Sequence, residues 1–227
     1  MTGSTAALLR TAAVVGVSTG LYGTAFGALA SAAGLSVLQA SVMSLLVFTG
    51  GSQFVAVGVL SGGGSPGTAL GAAWLLGARN AFYGLRIAPV IGPGTAKRLL
   101  AAQWTVDEST AVASAQPTRA GAAMGFWFTG LAVCVLWTAG TALGAGGAAA
   151  LAEPARFGLD AASPAAFAAF LAPQLRNASV RGVCAVSALV CLALVPVTPA
   201  GVPLLAAALP PAGYAVYLAV LREGAGR

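Results

Sequence analysis

The sequence predicts an all-α, polytopic membrane protein, and three observations carry that expectation. Charge is scarce: the 227 residues include 11 basic and 5 acidic side chains, while 58% of positions are apolar and the mean hydropathy is +0.89. A soluble domain usually carries charge on about a quarter of its residues, so these few ions could not cover an aqueous surface. The charges are also bunched, with none in residues 11–78, 120–152 or 182–221. One bilayer crossing takes about 20 apolar residues, so the first of these runs must cross or re-enter more than once. Finally, glycines recur at small-xxx-small spacing, Gly16, Gly20, Gly23 and Gly27 and then Gly121/Gly125 and Gly140/Gly144, a pattern suited to close helix contact in lipid. The expected organisation is a single transmembrane domain over 1–227 with about six or seven membrane segments.

In chain order, Arg10 precedes a first segment from about Thr11 to Ala33. A signal peptide ending near Ala28-Leu29-Ala30-Ser31-Ala32 is the competing reading, but the apolar run is long for one and continues past that site. The second segment, about Leu35 to Leu60, carries Thr49-Gly50-Gly51-Ser52-Gln53 in its middle. Adjacent glycines and polar side chains make poor continuous helix, so this segment is expected to be broken or re-entrant, with unwound backbone facing protein or water. Ser61 to Gly67 is a turn; it matches G-x-G-x-x-G but lacks the βαβ setting of a dinucleotide site. A third segment follows from Thr68 to about Ile91. Residues 92–119 form a polar belt in which Leu99 to Gln116 reads as a short helix at the interface or dipping into the protein. The fourth segment runs from about Ala120 to Leu143. After a charged loop with Glu153, Arg156 and Asp160 come Phe157 to Leu175, interrupted by Pro164 and Pro173, then Gly182 to Val195, beginning as early as Val180, and Val202 to Leu221. If segment two returns to the side it entered from, Arg10, Lys97, Arg98, Arg119, Arg176, Arg181 and Arg222 can all lie on the cytoplasmic side, as the positive-inside tendency requires. Both termini are then cytoplasmic.

Composition narrows the chemistry. There is no histidine, which removes His-based acid–base catalysis, serine triads and the commonest metal ligand. Cys134, Cys184 and Cys191 lie in apolar runs without CxxC spacing and read as small packing residues. The net charge of +6 and pI near 9.9 fit basic residues at cytoplasmic segment ends better than a nucleic-acid surface. No cofactor and no enzymatic activity is expected.

Three clusters stand out against the apolar background. Gly50, Gly51, Ser52 and Gln53 could present free backbone and amide groups to a zwitterion, or could be a kink for packing alone. Arg79 lies well inside segment three, where a cation costs several kcal/mol unless it meets a partner or water. With Asn80 beside it, and Tyr83 and Arg86 on the same face at i+4 and i+7, it reads as lining a cavity, or alternatively as an arginine snorkelling to an interface. Asp107 and Glu108, after Trp104, are the best candidates for proton coupling, although they could be ordinary interfacial acids.

At these same residues a family resemblance emerges. Gly23-x-x-Phe26-Gly27, Phe48-Thr49-Gly50-Gly51-Ser52-Gln53-Phe54, Ala78-Arg79-x-x-x-Tyr83-Gly84-Leu85-x-x-Ala88-Pro89, Asp107-Glu108, Gly158-Leu159-Asp160 and Pro164-x-x-Phe167 occur in an order that resembles the AzlC family, the large subunits of branched-chain amino-acid exporters. The likeness runs from about residue 12 to 220. It implies proton-coupled export of leucine, isoleucine and valine, with methionine as an additional candidate, and a small AzlD-type membrane subunit as partner, in a bacterial inner membrane. Where family members often have Asn-x-Arg-His, this chain has Gly77 and Asn80 at the Asn and His positions, so coupling or substrate could differ. In this reading Gly50 to Gln53 hold the zwitterion, Arg79 pairs with its carboxylate or with Asp107/Glu108, and Phe48, Phe54 and Phe82 supply apolar walls. A channel or a non-transporting assembly subunit is the alternative, distinguished by whether flux saturates.

Overall fold

A computed structural model of the chain describes residues 2–150, 168, 171, 172 and 174–225. Among the described residues every regular element is helical. Helix α1 (Thr2–Ala32) is followed by α2 (Val37–Val47), α3 (Gly50–Ser61), α4 (Pro66–Gly77), α5 (Arg79–Ile91), α6 (Thr95–Trp104), α7 (Asp107–Ser114) and α8 (Arg119–Ala149). A 3-10 turn at Gln174–Arg176 leads into α9 (Ala178–Leu194), α10 (Val202–Ala207) and α11 (Leu209–Ala225). The expected segment from Phe157 to Leu175 falls largely outside the described residues, as do Glu153, Arg156 and Asp160.

The glycine steps work as their spacing suggests. A Cβ on Gly20 would stand 2.9 Å from the Leu136 carbonyl oxygen, one on Gly23 would stand 2.6 Å from that of Trp137, and Gly27 meets the Thr141 carbonyl closer still. From the other side, Gly140 abuts the Gly20 carbonyl and Gly144 that of Thr24. Residue numbers rise together along both helices, so α1 and α8 run parallel. These 31-residue helices contain the two stretches long and apolar enough to cross a membrane, Thr5–Ala32 and Arg119–Ala149.

Segments two and three are interrupted. Segment two breaks at Phe48, which adopts the left-handed region (φ 37°), and at extended Thr49. A non-glycine residue there is strained, and burial holds it: Phe48 is 4% exposed in a cluster with Phe26, Phe54 and Trp137. The Phe26 ring lies edge-on to Phe54 at 5.5 Å and stacked on Trp137 at 6.3 Å. The break therefore precedes the double glycine. Gly50 to Gln53 are not unwound, as their composition suggested, but form the first turn of α3, because unpartnered amides at a helix start tolerate glycine better than a helix interior does. On the other side of the break, Gln103 Nε2 of α6 donates to the carbonyls of Leu45 (2.6 Å) and Leu46 (3.2 Å), which the ending of α2 leaves free.

Segment three, expected to be continuous from Thr68 to Ile91, is broken at Ala78. Ser52 Oγ donates to the Ala73 carbonyl at 2.8 Å, and a side chain entering the carbonyl ladder is a recognised cause of a kink. Gly77 permits this: a Cβ there would sit 3.2 Å from Ser52 Oγ. The stretch Leu99 to Gln116 is two helices rather than one, divided at Thr105–Val106, where Ser109 Oγ accepts the Val106 N–H at 3.2 Å and donates to the Trp104 carbonyl at 2.6 Å. The last expected segment is divided at Ala208.

Starts are capped where the sequence supplies a hydroxyl or amide. Ser36 and Gln39 form a reciprocal capping box on α2, Ser65 caps α4 ahead of Pro66, and Thr118 caps α8. The surface is strongly apolar: Leu21, Leu46, Trp74, Phe82, Leu85 and Leu143 are each more than two-thirds exposed, a pattern that calls for lipid or a partner to cover it.

Replacing Gly144 by alanine should destabilise the chain by about 1–3 kcal/mol, since the methyl meets backbone that cannot step aside. Gly58→Ala, where nothing lies within 4 Å, should be neutral or stabilising by up to about 1 kcal/mol. Thermal unfolding of both variants in detergent tests the difference in sign.

Candidate functional site

The breaks in segments two and three and in the α6–α7 stretch converge. Helices α3, α5 and α7 begin at Gly50, Arg79 and Asp107, and all of these residues line one cavity of about 540 Å³. A helix start carries partial positive charge and unpaired N–H groups, so the polar end of the cavity is made from helix termini. Its remaining wall is apolar, formed by Phe48, Phe54, Leu76, Val106, Val133 and Trp137, with Leu171 and Gln174 at the margin.

At the start of α3, Thr49 makes no side-chain cap, and the first intrahelical bond is Gln53 N–H to the Thr49 carbonyl at 3.1 Å. The amides of Gly50, Gly51 and Ser52 precede that bond, and the two glycines face the cavity. Arg79 Nη2 would stand 3.6 Å from a Cβ on Gly51, so a guanidinium lies beside these amides. Amides at a helix start and a guanidinium beside them have the chemistry to accept a carboxylate.

Arg79 is in turn held by Asp107. Its Nη2 donates to Asp107 Oδ2 at 2.6 Å, and Tyr83, one turn further along α5, donates its hydroxyl to Oδ1 at 2.7 Å. The i, i+4 spacing of Arg79 and Tyr83 thus serves one carboxylate. Asp107 and Glu108 sit in the first turn of α7, where the helix dipole favours anions. The pair is only half-covered, with side chains 38% and 47% exposed, and Arg79 Nε is buried without a hydrogen-bond partner. A half-exposed guanidinium beside a carboxylate with an adjacent second acid has the chemistry to exchange partners with a zwitterion, whose carboxylate would face Arg79 and whose ammonium would face the acids.

The expected site residues divide accordingly. Gly50, Gly51, Arg79, Asp107 and Glu108 line the cavity; Tyr83 acts behind it through Asp107. Ser52 and Gln53 point elsewhere. Ser52 is spent on the α4 carbonyl. Gln53, fully buried, accepts the Trp137 indole N–H at 3.0 Å and donates to Ser44 Oγ at 3.4 Å, while Ser44 shares a 2.8 Å hydrogen bond with Thr141. Asn80 is absent from the lining, and its Oδ1 is buried without a partner. Phe82 is 73% exposed and away from the cavity. The residues not singled out from sequence are Leu76, Val106, Val133 and Trp137. Val133, Trp137 and Thr141 recur at i, i+4, i+8, a signal of one buried face of α8, but nothing in that spacing says that the face looks onto a cavity.

Gln53→Leu should cost about 1–3 kcal/mol of stability, the penalty for a buried indole N–H left without an acceptor, while ligand affinity of the folded fraction stays within a few-fold. Unfolding and ligand titration on the same sample separate the two.

Comparison with curated proteins and with solved structures gives no significant match. A family model described as "AzlC protein" matches residues 14–151, a span that holds every cavity residue named above except Leu171 and Gln174 and stops short of the motifs at Gly158 to Phe167. As that match takes in more than half of the 227 residues, the chain belongs to the AzlC family.

Proposed function

We propose that this chain is the large subunit of a two-component secondary transporter that exports leucine, isoleucine and valine, with methionine as an additional candidate, in exchange for protons. The AzlC family is linked to branched-chain amino-acid transport, and the observation that carries the reading here is the cavity itself. Charged groups of both signs, Arg79 with Asp107 and Glu108, share its lining with the apolar side chains of Phe48, Leu76, Val106, Val133 and Trp137. That polarity matches an amino acid with a charged backbone and an aliphatic side chain. An apolar pocket distinguishes one methylene by only about 1–3 kcal/mol, so selectivity among the branched chains should be loose. The acids supply proton acceptors without histidine. The partner is a small AzlD-type membrane subunit, for which the exposed apolar surface offers area.

A multi-pass inner-membrane placement with cytoplasmic termini is supported by the parallel course of α1 and α8. Two parallel spanning helices require an odd number of net crossings between them. With α6–α7 staying on one side, one of the two interrupted segments α2–α3 and α4–α5 returns to the side it entered from. A re-entrant α2–α3 satisfies this and leaves Arg10, Lys97, Arg98 and Arg119 on one side, in keeping with the positive-inside tendency.

Vesicles carrying this chain and its partner should show saturable efflux of leucine, isoleucine and valine that follows the proton gradient; absence of flux would defeat the exporter reading, and non-saturating flux would favour a channel. Arg79→Ala should lower efflux at least about tenfold, as expected when one partner of a hydrogen-bonded charge pair is removed, and full transport by that variant would take Arg79 out of the mechanism. Leu76→Phe, which narrows the cavity, should reduce leucine efflux relative to valine by about tenfold, read as a competition between the two substrates.

A further inference from the structure

A second cavity lies on the same helix as Arg79 but faces another way. Arg86, seven residues on and so about 10 Å further along the α5 axis, lines a pocket of about 310 Å³ together with Ser114, Pro117, Thr118 and Arg119. Arg86 Nε donates to Ser114 Oγ at 3.0 Å, which aims the guanidinium across the pocket. Arg119 has no hydrogen-bond partner or ion pair among the described residues, and its Nη2 would stand 3.8 Å from a Cβ on Gly92. The ion pair found among the described residues is Arg79 with Asp107, so neither pocket arginine is neutralised by a described carboxylate. Two guanidiniums with open N–H groups, from different helices, are thus held around one hollow at the start of α8, where the helix dipole adds to the same field. Lys97 and Arg98 belong to the same end of the molecule, and Arg98 Nε donates to the Gly92 carbonyl at 3.1 Å.

The lining also takes in Gln116 and apolar side chains, Ile87 and Val90 among them, and Leu85 and Leu99, next in sequence to Arg86 and Arg98, are 75% and 68% exposed. A ligand here meets positive charge together with apolar walls. We infer that this pocket binds the phosphate of an anionic phospholipid headgroup, with Arg86 and Arg119 as the phosphate-contacting residues. Arginine suits this task because its planar fork offers paired donors to phosphate oxygens, and basic pockets between membrane helices are a recurrent way of holding such headgroups. The inference rests on the membrane placement proposed above but not on the substrate; a chain that stays soluble without detergent would overturn both, whereas failed efflux would leave this one standing.

The test is native mass spectrometry of the purified full-length chain in neutral detergent, titrated separately with phosphatidylglycerol, phosphatidylcholine of the same acyl chains, and inorganic phosphate. Phosphatidylglycerol should bind at least tenfold better than phosphatidylcholine. The Arg86→Gln/Arg119→Gln variant should lose at least tenfold of that affinity, while Arg176→Gln/Arg181→Gln, which removes the same charge elsewhere, should keep it. No headgroup preference in the unaltered chain would overturn the proposal whether or not the variant folds. Equal loss in the two variants would reduce the effect to net charge and overturn it too, and inorganic phosphate displacing the lipid at equal concentration would assign the pocket to a free anion instead.

Discussion

The close approach of α1 to α8 is the constraint on which the rest of the structure depends. Glycine at 20, 23 and 27 on one helix and at 140 and 144 on the other lets backbone touch backbone, and in lipid that contact has to come from shape, since apolar side chains gain nothing by leaving one hydrocarbon for another. The register this sets places Trp137 against Gly23 on one side and sends its indole toward α3 on the other. From there Gln53, Ser44 and Thr141 form a buried chain of hydrogen bonds that joins α2, α3 and α8 around the break at Phe48–Thr49. A buried network of this kind is costly unless every member is satisfied, so it favours one arrangement of the broken helix over its neighbours. The cavity is a consequence: Trp137 forms its wall because α1 holds α8 where it does.

The interruptions concentrate function. Ending and restarting a helix exposes N–H and C=O groups that must find partners, and each restart near the cavity brings a different answer. At α3 the amides are left open beside Arg79. At α5 the first residue is Arg79 itself, unfavourable to the helix dipole until Asp107 answers it. At α7 the first residues are Asp107 and Glu108, which the dipole supports. The carbonyls released at the end of α2 go to Gln103, and that of Ala73 to Ser52. The chain thereby gathers polar groups at one place without placing many charged residues in an apolar sequence.

How much of this was legible in the sequence varied with the range of the interaction. Scarce, bunched charge indicated the helical class, and the glycine steps marked faces suited to close contact because that spacing lies within a turn, but which two helices would meet was not in the spacing. The double glycine marked the vicinity of a break but not its position, since Phe48 takes the left-handed conformation only because Phe26, Phe54 and Trp137 bury it. The break at Ala78 had only a weak local signal in Gly77, and its main cause is Ser52, which donates to the carbonyl of Ala73, 21 residues further on. For the same reason Ser52 and Gln53 looked like ligands by their chemistry and are occupied by tertiary partners that no spacing rule reports. Arg79, Asp107 and Glu108 were legible because an apolar background gives charge few other reasons to be present.

The departure at Gly77 and Asn80 can be put in the same physical terms. Family members often carry asparagine at the first position, and a side chain there would begin 3.2 Å from Ser52 Oγ, so in this chain the glycine closes α3 onto α4 through a hydroxyl instead of an amide. Asn80, where a histidine is frequent, keeps its Oδ1 buried and unpartnered, and a neutral amide cannot titrate. The acids that line the cavity are Asp107 and Glu108, and Asp107 already accepts from both Arg79 and Tyr83. A substrate carboxylate that draws Arg79 away would take one of these two donors from Asp107. In the proposed function, substrate and Asp107 would thus compete for a single guanidinium.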